Sequence, residues 1–456
     1  VQIDSNIEDK LRSSVNYIFN ISLSQEYPLF ESIKVYIDRL NVQIQHDVNN
    51  NEDSFSDKCV SFYSFIMPLL DVFKQIEKLK RTHFIFLIDD AQDLNIYQIK
   101  ALNSWIAYRD HTDFSFKVAI AKIKNQTYLT ANGSSILEGH DFLKIDMEKP
   151  YQNKFSDFGL WSREIIERRL QIAGIGNVDA SKFFPENESV RKTLDQLEKE
   201  TILEAEKKYG KLKNSRKKIN DYVYKYSRVK YFGNRNSKAN LPLYSGWETI
   251  VHLSTGVIRN LLYPCFWMYD KEFSKHNTAE NDTNDPIKFI RSSFQDDIIK
   301  EKSQELWNRI ENGLFNNIPN CSTKQADQIK NLFEALVLLF KKRLDSGVSE
   351  PRAVTFSVSG RSQLSKDKLE ELEELLRIAK EAQLLYDRVS TGKDDGKREI
   401  YYVPNRLLFP IRGLDVVGQH ARVSIKALEL YNAAVNKKAL KENEFAITKT
   451  LFDNEN

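Results

Sequence analysis

The stretch "HFIFLIDDAQDL", residues His83–Leu94, is an apolar run that two acids stop abruptly. Its centre, "FIFLI", is continuous and short, which is typical of a strand buried on both faces of a parallel sheet. Ligands of such sheets bind beyond the carboxyl ends of the strands. Asp89 and Asp90 stand at that end, so the stretch predicts a binding site in an α/β domain.

A short apolar strand followed by paired acids is the Walker B pattern of nucleotide-hydrolysing proteins. The first carboxylate, here Asp89, holds Mg²⁺, usually through water. The second, here Asp90, orients or deprotonates the attacking water. The structural alternative is an Asp that only caps the next helix or turn.

The segments around this strand predict helices and further strands. An N-terminal helix has capping-box spacing from Ser5 to Glu8, a second helix begins near Pro28, and a third over Phe62–Ile76 is kinked by Pro68. One face of the first helix carries Ile7, Leu11, Val15 and Ile18.

Two more strands are predicted after the acids, "FSFKVAIAKI" (Phe114–Ile123) and "DFLKIDM" (Asp141–Met147). Strands that alternate with helices favour a three-layer α/β domain.

Composition sets the broad class. The chain has 456 residues, 41% hydrophobic and 29% charged, with a mean hydropathy of -0.50, which is ordinary for a soluble protein of two or three domains. The longest apolar stretch, Leu332–Phe340, is too short to span a membrane. Scattered cysteines and no visible signal peptide predict the cytoplasm. A net charge of +3 leaves any nucleic-acid site to local patches.

A second motif lies downstream, "HLSTGVIRNLLY" (His252–Tyr263). Ser254 or Thr255 suits an N-cap, Gly256 a tight turn, and Arg259 stands one turn into the predicted helix. The fork of Arg donors matches phosphate oxygens. An ordinary exposed helix Arg is the alternative.

With "LEGHDFLKIDMEKPY" and "FSDFGLWSREIIERRL", these motifs resemble the origin-recognition-complex type of AAA+ ATPase over roughly residues 60–425. The resemblance implies ATP and Mg²⁺ as cofactors, with Asp89 on the metal, Asp90 at the water and Arg259 of the lid sensing phosphate. Bacterial relatives occur in mobile-element and phage-defence settings. The resemblance therefore implies a homo-oligomer that does not bind membranes. The partners that it implies are DNA and an effector protein encoded nearby.

Two further roles follow from the resemblance. A polar sensor-1 residue should end the second strand, where Lys122 and Asn125 both qualify, and Asn125 is the catalytic candidate. An arginine finger could come from Arg163, Arg168 or Arg169. A solvated helix face is the alternative for these arginines.

The sequence departs from the AAA+ pattern in two ways. The second acid is Asp90 where Glu is usual, and the shorter side chain favours slow or indirect activation of water. The phosphate-binding loop G-x-x-x-x-G-K-[ST] does not occur in the sequence and is expected before Val1. A chain that lacked it would be a non-hydrolysing adaptor.

A polar stretch from Glu186 to Asn240 interleaves lysines and arginines with tyrosines. Cations beside rings able to stack on bases are typical of a nucleic-acid surface. The alternative is a soluble helical insertion whose cations pair with the acids of "DQLEKETILEAEKK". The candidate DNA contacts are Lys213, Arg216, Lys217 and Lys218.

The C-terminal part predicts a helix, a strand, two short helices and a hairpin, the order of a winged helix. The face "EELEELL" is acidic and would repel phosphates, so the hairpin tip and Arg406 are better DNA contacts. Docking of a protein is the alternative. The candidate contacts at the tip are Lys393, Lys397 and Arg398.

Together these features predict three domains: an α/β nucleotide-binding core over 1–170, a helical lid with the basic insertion over 171–320, and a winged helix with a tail over 321–456. The functional hypothesis is an ATP-dependent switch, and the alternative is an adaptor that holds DNA or an effector without hydrolysis.

Overall fold

A computed structural model describes most of the chain, and all structural statements concern these residues: 5–51, 61–107, 113–121, 127–145, 156–212, 215–233, 244–278, 287–313, 318, 321–345, 351–391, 398–418 and 422–440. The chain forms two compact units, Val1–Ile145 and Asp146–Asn456. The three predicted domain ranges remain predictions.

The first unit mixes helices and strands, as the sequence predicts. Its main elements are α1 (Ser5–Phe19), α2 (Leu29–Asn49), α3 (Met67–Phe73), β1 (Phe84–Ile88), α4 (Ile96–Ala107) and β2 (Phe114–Val118). A π-helical turn, Phe62–Ile66, leads into α3. Pro68 lies in the first turn of α3, where a missing N–H is tolerated, so the single predicted helix is divided at this proline into a π-helical turn and α3.

Helix α1 buries only the middle of its predicted apolar face. Leu11 and Val15 are buried, whereas Ile7 and Ile18 are exposed. The predicted capping box is wrong because Glu8 is used elsewhere. Its Oε1 accepts hydrogen bonds from the backbone N of Leu29, at 2.7 Å, and from Arg12 Nη2, at 2.9 Å. Glu8 therefore fixes the start of α2.

Strands β1 and β2 pair in parallel, in register from Phe84 opposite Phe114 to Ile88 opposite Val118. One face of this sheet packs an aromatic cluster around Phe62. The other face leaves Ile85 48% and Leu87 76% exposed. The prediction that this strand is buried on both faces is therefore wrong within the described residues, because helices cover only one face.

The later strand predictions also need correction. Strand β2 ends at Val118, and Ala119–Ala121 continue as irregular chain, so the predicted extension toward Ile123 does not form over these described residues. At the predicted third strand, described residues 141–145 form only an isolated bridge between Phe142 and Glu138.

The second unit begins with helices and continues with four strands and two more helices. Its elements are α5 (Asp157–Ile172), α6 (Ala180–Phe183), α7 (Glu188–Tyr209), α8 (Ser215–Gly233), α9 (Trp247–Leu253), α10 (Ile258–Thr278), α11 (Ser292–Asn312), α12 (Thr323–Asp345), β3 (Thr355–Ser359), α13 (Lys366–Glu381), β4 (Leu385–Thr391), β5 (Arg398–Pro404), β6 (Arg422–Lys426) and α14 (Ala427–Asn436).

The sheet of the second unit has the order β4-β5-β3-β6. Strand β5 is antiparallel to β4 and β3, whereas β6 is parallel to β3. The helix–strand–helix–hairpin order matches the prediction, except that a 3₁₀ turn (Arg361–Gln363) and the single helix α13 replace two short helices. Strand β6 was not predicted, and the winged-helix assignment remains a prediction.

One hydrophobic core runs through the second unit, from Phe158 to Leu440. The apolar stretch Leu332–Phe340 lies inside α12 and contributes to this core. The indole Nε1 of Trp307 on α11 donates to the carbonyl oxygen of Leu408, at 2.9 Å. Helices of the first half therefore share their core with the C-terminal sheet. None of the described helices is long and apolar enough to cross a membrane.

Candidate functional site

The two acids of the opening stretch lie directly after β1, at the carboxyl end of the parallel pair. Both side chains are exposed. Asp90 has a left-handed backbone, with φ 51°, which an Asp tolerates better than most residues. Its backbone N donates to Oδ1 of Asp89, at 2.9 Å. This turn brings both carboxylates to the same edge of the sheet.

The capping alternative is not met by the side chain of Asp90. Asp90 stands at the N-cap of a 3₁₀ turn, Ala91–Asp93, but its side chain makes no capping hydrogen bond. Asp90 Oδ1 instead accepts from Gln92 Nε2, at 2.9 Å. The side chain of Asp90 therefore does not cap this turn, whereas that of Asp89 is bonded to its backbone.

Gln92 is a site residue that sequence reasoning missed. Its Nε2 holds Asp90, and its Oε1 accepts from the backbone N of Ala121, at 3.1 Å. Ala121 follows β2, so one side chain joins the ends of both strands. The backbone adds a second link, because Ala91 N donates to Ala119 O at 3.1 Å. The only sequence signal was a polar residue with two hydrogen-bonding ends, two positions after the acids.

The donor set suits hydrated Mg²⁺. Asp89 and Asp90 supply hard carboxylate oxygens, which Mg²⁺ prefers while keeping several waters. Within the described ranges, no group of three His, Cys, Asp or Glu side chains is placed to enclose a metal ion. Two carboxylates alone leave the other coordination positions of such an ion to water and to a phosphate ligand.

The two sensor-1 candidates, Lys122 and Asn125, both lie outside the described residues. Ala119 and Ala121, which end the described part after β2, already contact the acid-bearing turn through their backbones.

Arg259 belongs to the second unit and is the second residue of α10, not one turn into it as predicted. Its side chain is exposed, and no acid in the described part of the chain pairs with it. The predicted N-cap is also wrong. The helix begins after Ser254 and Thr255, whose hydroxyls accept from the backbone N of Gly256, at 3.3 Å, and of Arg406, at 3.0 Å.

The arginine-finger candidates divide into two kinds. Arg163 forms an ion pair with Asp179 across the start of α6. Hydrogen bonds from Ser181 and the charge of Arg163 outweigh burial and lower the pKa of Asp179, which keeps this pair ionised. Arg168 and Arg169 are exposed on α5, as the solvated-face alternative also predicts.

The basic stretch forms a hairpin of helices α7 and α8. Arg216, Lys217 and Lys218 are exposed at the start of α8, next to the turn, and Lys213 lies outside the described residues. Lower down, Lys230 pairs with Glu204 at 2.6 Å, as the alternative interpretation of the stretch predicts. The cations near the turn, rather than those along the whole stretch, are therefore presented to solvent.

The tyrosines of the α7–α8 hairpin differ in how far they are exposed. Tyr231 is buried. Tyr222 packs against Tyr209, at 5.8 Å between ring centroids, and against Tyr226, at 4.6 Å. The ring of Tyr224 contacts the Arg352 guanidinium, 4.9 Å away, and is 46% exposed. Base stacking by the hairpin therefore stays a prediction, with Tyr224 as its most exposed ring.

One hairpin arginine enters a buried ionic cluster. Arg228 donates to both oxygens of Asp415, at 2.9 Å each, and Arg352 donates to Oδ2 at 3.1 Å. The Val417 backbone N completes the contacts of Oδ1 at 3.1 Å. Burial alone would raise the pKa of Asp415, but the two guanidinium groups outweigh it and hold the pKa far below the usual carboxyl range.

Arg406, a predicted DNA contact, is half-buried and points one guanidinium nitrogen into the protein, which disfavours that role. Its Nη1 donates to His252 Nδ1 at 2.8 Å, and to the carbonyl oxygens of Val416 and Val417 at 2.9 and 3.2 Å. Burial, and then the neighbouring Arg406, lower the pKa of His252 well below its usual value, so the ring is neutral and accepts this bond. No local pattern around Arg406 indicated that this loop arginine would be turned inward.

Lys393, Lys397 and Arg398 belong to the tip of the β4–β5 hairpin, and their side chains lie outside the described residues. The acids of α13 are largely engaged, which weakens the predicted repulsion of phosphates. Glu374 and Glu381 both bind Arg377.

A further acid of α13 has a structural role. Glu371 accepts from the hydroxyl of Tyr431, at 2.7 Å, and this bond lowers the pKa of Glu371.

The comparisons with known proteins point to one family. The family described as ORC-CDC6-like matches residues 2–425, nearly the whole chain. No curated protein and no solved structure matches this chain.

Proposed function

The chain belongs to the ORC-CDC6-like family, the origin-recognition type of AAA+ ATPase, and from this premise we propose an ATP-dependent switch whose nucleotide state controls its engagement of DNA or a partner protein. The observation that carries the proposal is the pair of carboxylates after β1, which Gln92 ties to the end of β2.

Asp89 is the proposed Mg²⁺ ligand. Its Oδ1 accepts the backbone N–H of Asp90, which fixes the carboxylate plane and leaves Oδ2 for a metal-bound water. When bound, Mg²⁺ neutralises charge on the nucleotide phosphates.

Asp90 is the proposed residue that positions the attacking water. Gln92 holds one carboxylate oxygen, so the other oxygen is left for the water. Asp reaches one methylene less far than Glu, and its engagement by Gln92 restricts it further. These two features favour slow turnover, and they are also the observation that favours a non-hydrolysing adaptor as the second candidate.

Substitution of each acid in the full-length protein tests these roles. We expect Asp89→Ala to weaken Mg²⁺-ATP binding, and Asp90→Asn to leave binding intact while it slows phosphate release by about tenfold or more, because a general base is removed. Asp93→Asn is the matched control, because Asp93 is exposed in the same 3₁₀ turn.

Radiolabelled ATP binding and phosphate release separate the candidate functions. ATP binding without phosphate release in the wild type would favour the adaptor. No ATP binding would refute the switch. If phosphate release by both acid variants equalled that of Asp93→Asn, Asp89 and Asp90 would have no role in ATP hydrolysis.

The proposed DNA site is the turn between helices α7 and α8, with Lys213, Arg216, Lys217 and Lys218. The second proposed site is the tip of the β4–β5 hairpin, with Lys397 and Arg398. Exposed cations beside a helix turn suit contacts to phosphates, which give affinity without sequence readout. Reversing the four hairpin charges to Glu should weaken duplex binding more than reversing the two at the tip.

Fluorescence anisotropy across a salt series measures this difference. Removing one phosphate contact should flatten the log–log slope by about 0.9. Lys192→Glu with Lys199→Glu is the control, since both lysines are exposed on the shaft of α7. If the control weakened binding as much as the tip variant, which also reverses two charges, and half as much as the four-charge variant, only net charge would matter. A greater weakening by the tip variant would make the tip the main site.

Further parts of the proposal concern assembly and biology. We propose that Arg259 senses the nucleotide phosphates, that the chain forms a homo-oligomer, and that it controls an effector protein in antiphage defence. Light scattering with and without ATP tests assembly. Plaque counts on cells with wild-type or Asp89→Ala protein test defence, and equal counts would refute it.

A further inference from the structure

The turn before α10 has an unusual backbone. Thr255 and Gly256 are consecutive left-handed residues, with φ 58° and 81°. Glycine adopts this conformation freely, but it is strained for a β-branched threonine, so surrounding contacts must hold Thr255 in place. Arg259 follows four positions later, and its placement depends on this turn.

The contact that holds Thr255 comes from the C-terminal segment. Its Oγ1 accepts from the Arg406 backbone N at 3.0 Å, and lies 3.2 Å from the Leu253 carbonyl oxygen, to which it donates. The hydroxyl thus uses both its donor and its acceptor. The Arg406 side chain adds a second connection by donating to His252 on α9.

A third contact joins α10 to the sheet. Asn260, the residue after Arg259, donates from Nδ2 to the hydroxyl of Tyr386 on β4, at 2.9 Å. The same Nδ2 lies 3.4 Å from the Ser254 carbonyl oxygen in the turn. Residues on both sides of Arg259 are therefore bonded to the segment that carries β4 and β5.

We propose that these contacts are a latch that transmits the nucleotide state to the β4–β5 hairpin. A phosphate that binds Arg259 displaces the start of α10. Because Thr255 is hydrogen-bonded to Arg406 and Asn260 to Tyr386, these two residues are displaced with it. A ligand shifts a conformational population only through contacts that differ between the states, and the latch supplies such contacts. The inference rests on the proposed function, because it requires that ATP binds.

Hydrogen exchange of the full-length protein, with and without saturating Mg²⁺-ATP, measures the response of the hairpin. We expect ATP to change amide exchange in residues 385–391 and 398–404 by about fivefold, the effect of one hydrogen bond of ordinary net strength. Thr255→Val removes the hydroxyl while keeping the shape, and should reduce the change to less than about twofold. Thr255→Ser keeps the hydroxyl and should preserve the response.

Two further measurements make the outcomes distinct. Tyr386→Phe removes the partner of Asn260 without touching the strained turn, and should also diminish the response, which keeps the test valid if Thr255→Val does not fold. ATP affinity is measured for every variant. A wild type that does not bind ATP overturns the proposed function and the latch together. ATP binding without any change in hairpin exchange, or a full response in Thr255→Val or Tyr386→Phe, overturns the latch alone.

Discussion

Asp415→Asn should be among the most damaging conservative substitutions in the second unit. The carboxylate is 2% exposed and accepts three hydrogen bonds from Arg228 and Arg352. The amide has similar shape but no charge, so two guanidinium groups, one of them fully enclosed, would lose their counter-charge. Breaking one partner of a buried ion pair costs about 3–5 kcal/mol in the free energy of unfolding, and we expect destabilisation of that size.

Urea unfolding followed by tryptophan fluorescence measures this effect, because four of the five tryptophans lie in the second unit: Trp161, Trp247, Trp267 and Trp307. Asp297→Asn is the control. Asp297 pairs with Lys271 at 3.1 Å, and its own side chain is 58% exposed, so its substitution should cost less than about 1 kcal/mol. Equal destabilisation by the two substitutions would refute the conclusion that the buried ionic cluster around Asp415 stabilises the second unit.

The pH dependence of the same cluster has a definite sign. The pKa of Asp415 is lower in the folded state than in the unfolded chain. Its contribution to stability is therefore fully present above the unfolded value of about 3.9, and is lost as the pH falls further toward the folded value. The difference in stability between wild type and Asp415→Asn should shrink in that acid range.

Three further predictions concern stability. Gly246→Ala should destabilise the second unit by about 1–3 kcal/mol in urea unfolding, because φ is 95° and a Cβ would lie 3.3 Å from the Glu186 backbone. Gly174→Ala is the control and should cost less, because φ is 79° but a Cβ there would have nothing within 4 Å. Glu8→Ala should destabilise the first unit by about 1–2 kcal/mol because the hydrogen bond to Leu29 is removed, and an unchanged midpoint would contradict this. The pKa of His252 is depressed on folding, so stability should fall as the pH drops below about 6.5, a dependence that His252→Gln should flatten.

The sequence was most informative where the decisive signal is local. A five-residue apolar strand and the acids that follow it are defined by adjacent residues, and the structure places them as predicted. The same run could not reveal that Ile85 and Leu87 stay exposed. Burial depends on which elements cover each face, and hydrophobicity along one strand carries no information about those distant partners.

Side-chain partners were the part that the sequence could not supply. Arg406 and the tyrosines of the α7–α8 hairpin have the composition of a DNA surface, yet Arg406 binds carbonyl oxygens and Tyr222 packs on Tyr226. Gln92 was missed for the same reason, since its importance comes from bridging to Ala121 beyond another strand. Contacts between residues far apart in the chain are fixed only when the fold brings them together.

The continuous core of the second unit has a consequence for genetic dissection. Trp307, near the end of α11, is fully buried and bonded to Leu408, a hundred positions downstream. A stop codon after residue 320 would uncover that indole and the apolar side of α11 to water, and such exposed surfaces promote aggregation. Deletion alleles would therefore confuse a defect in DNA or partner binding with failure of the protein to fold. Point substitutions at exposed positions are the means by which separate activities of this chain can be assigned.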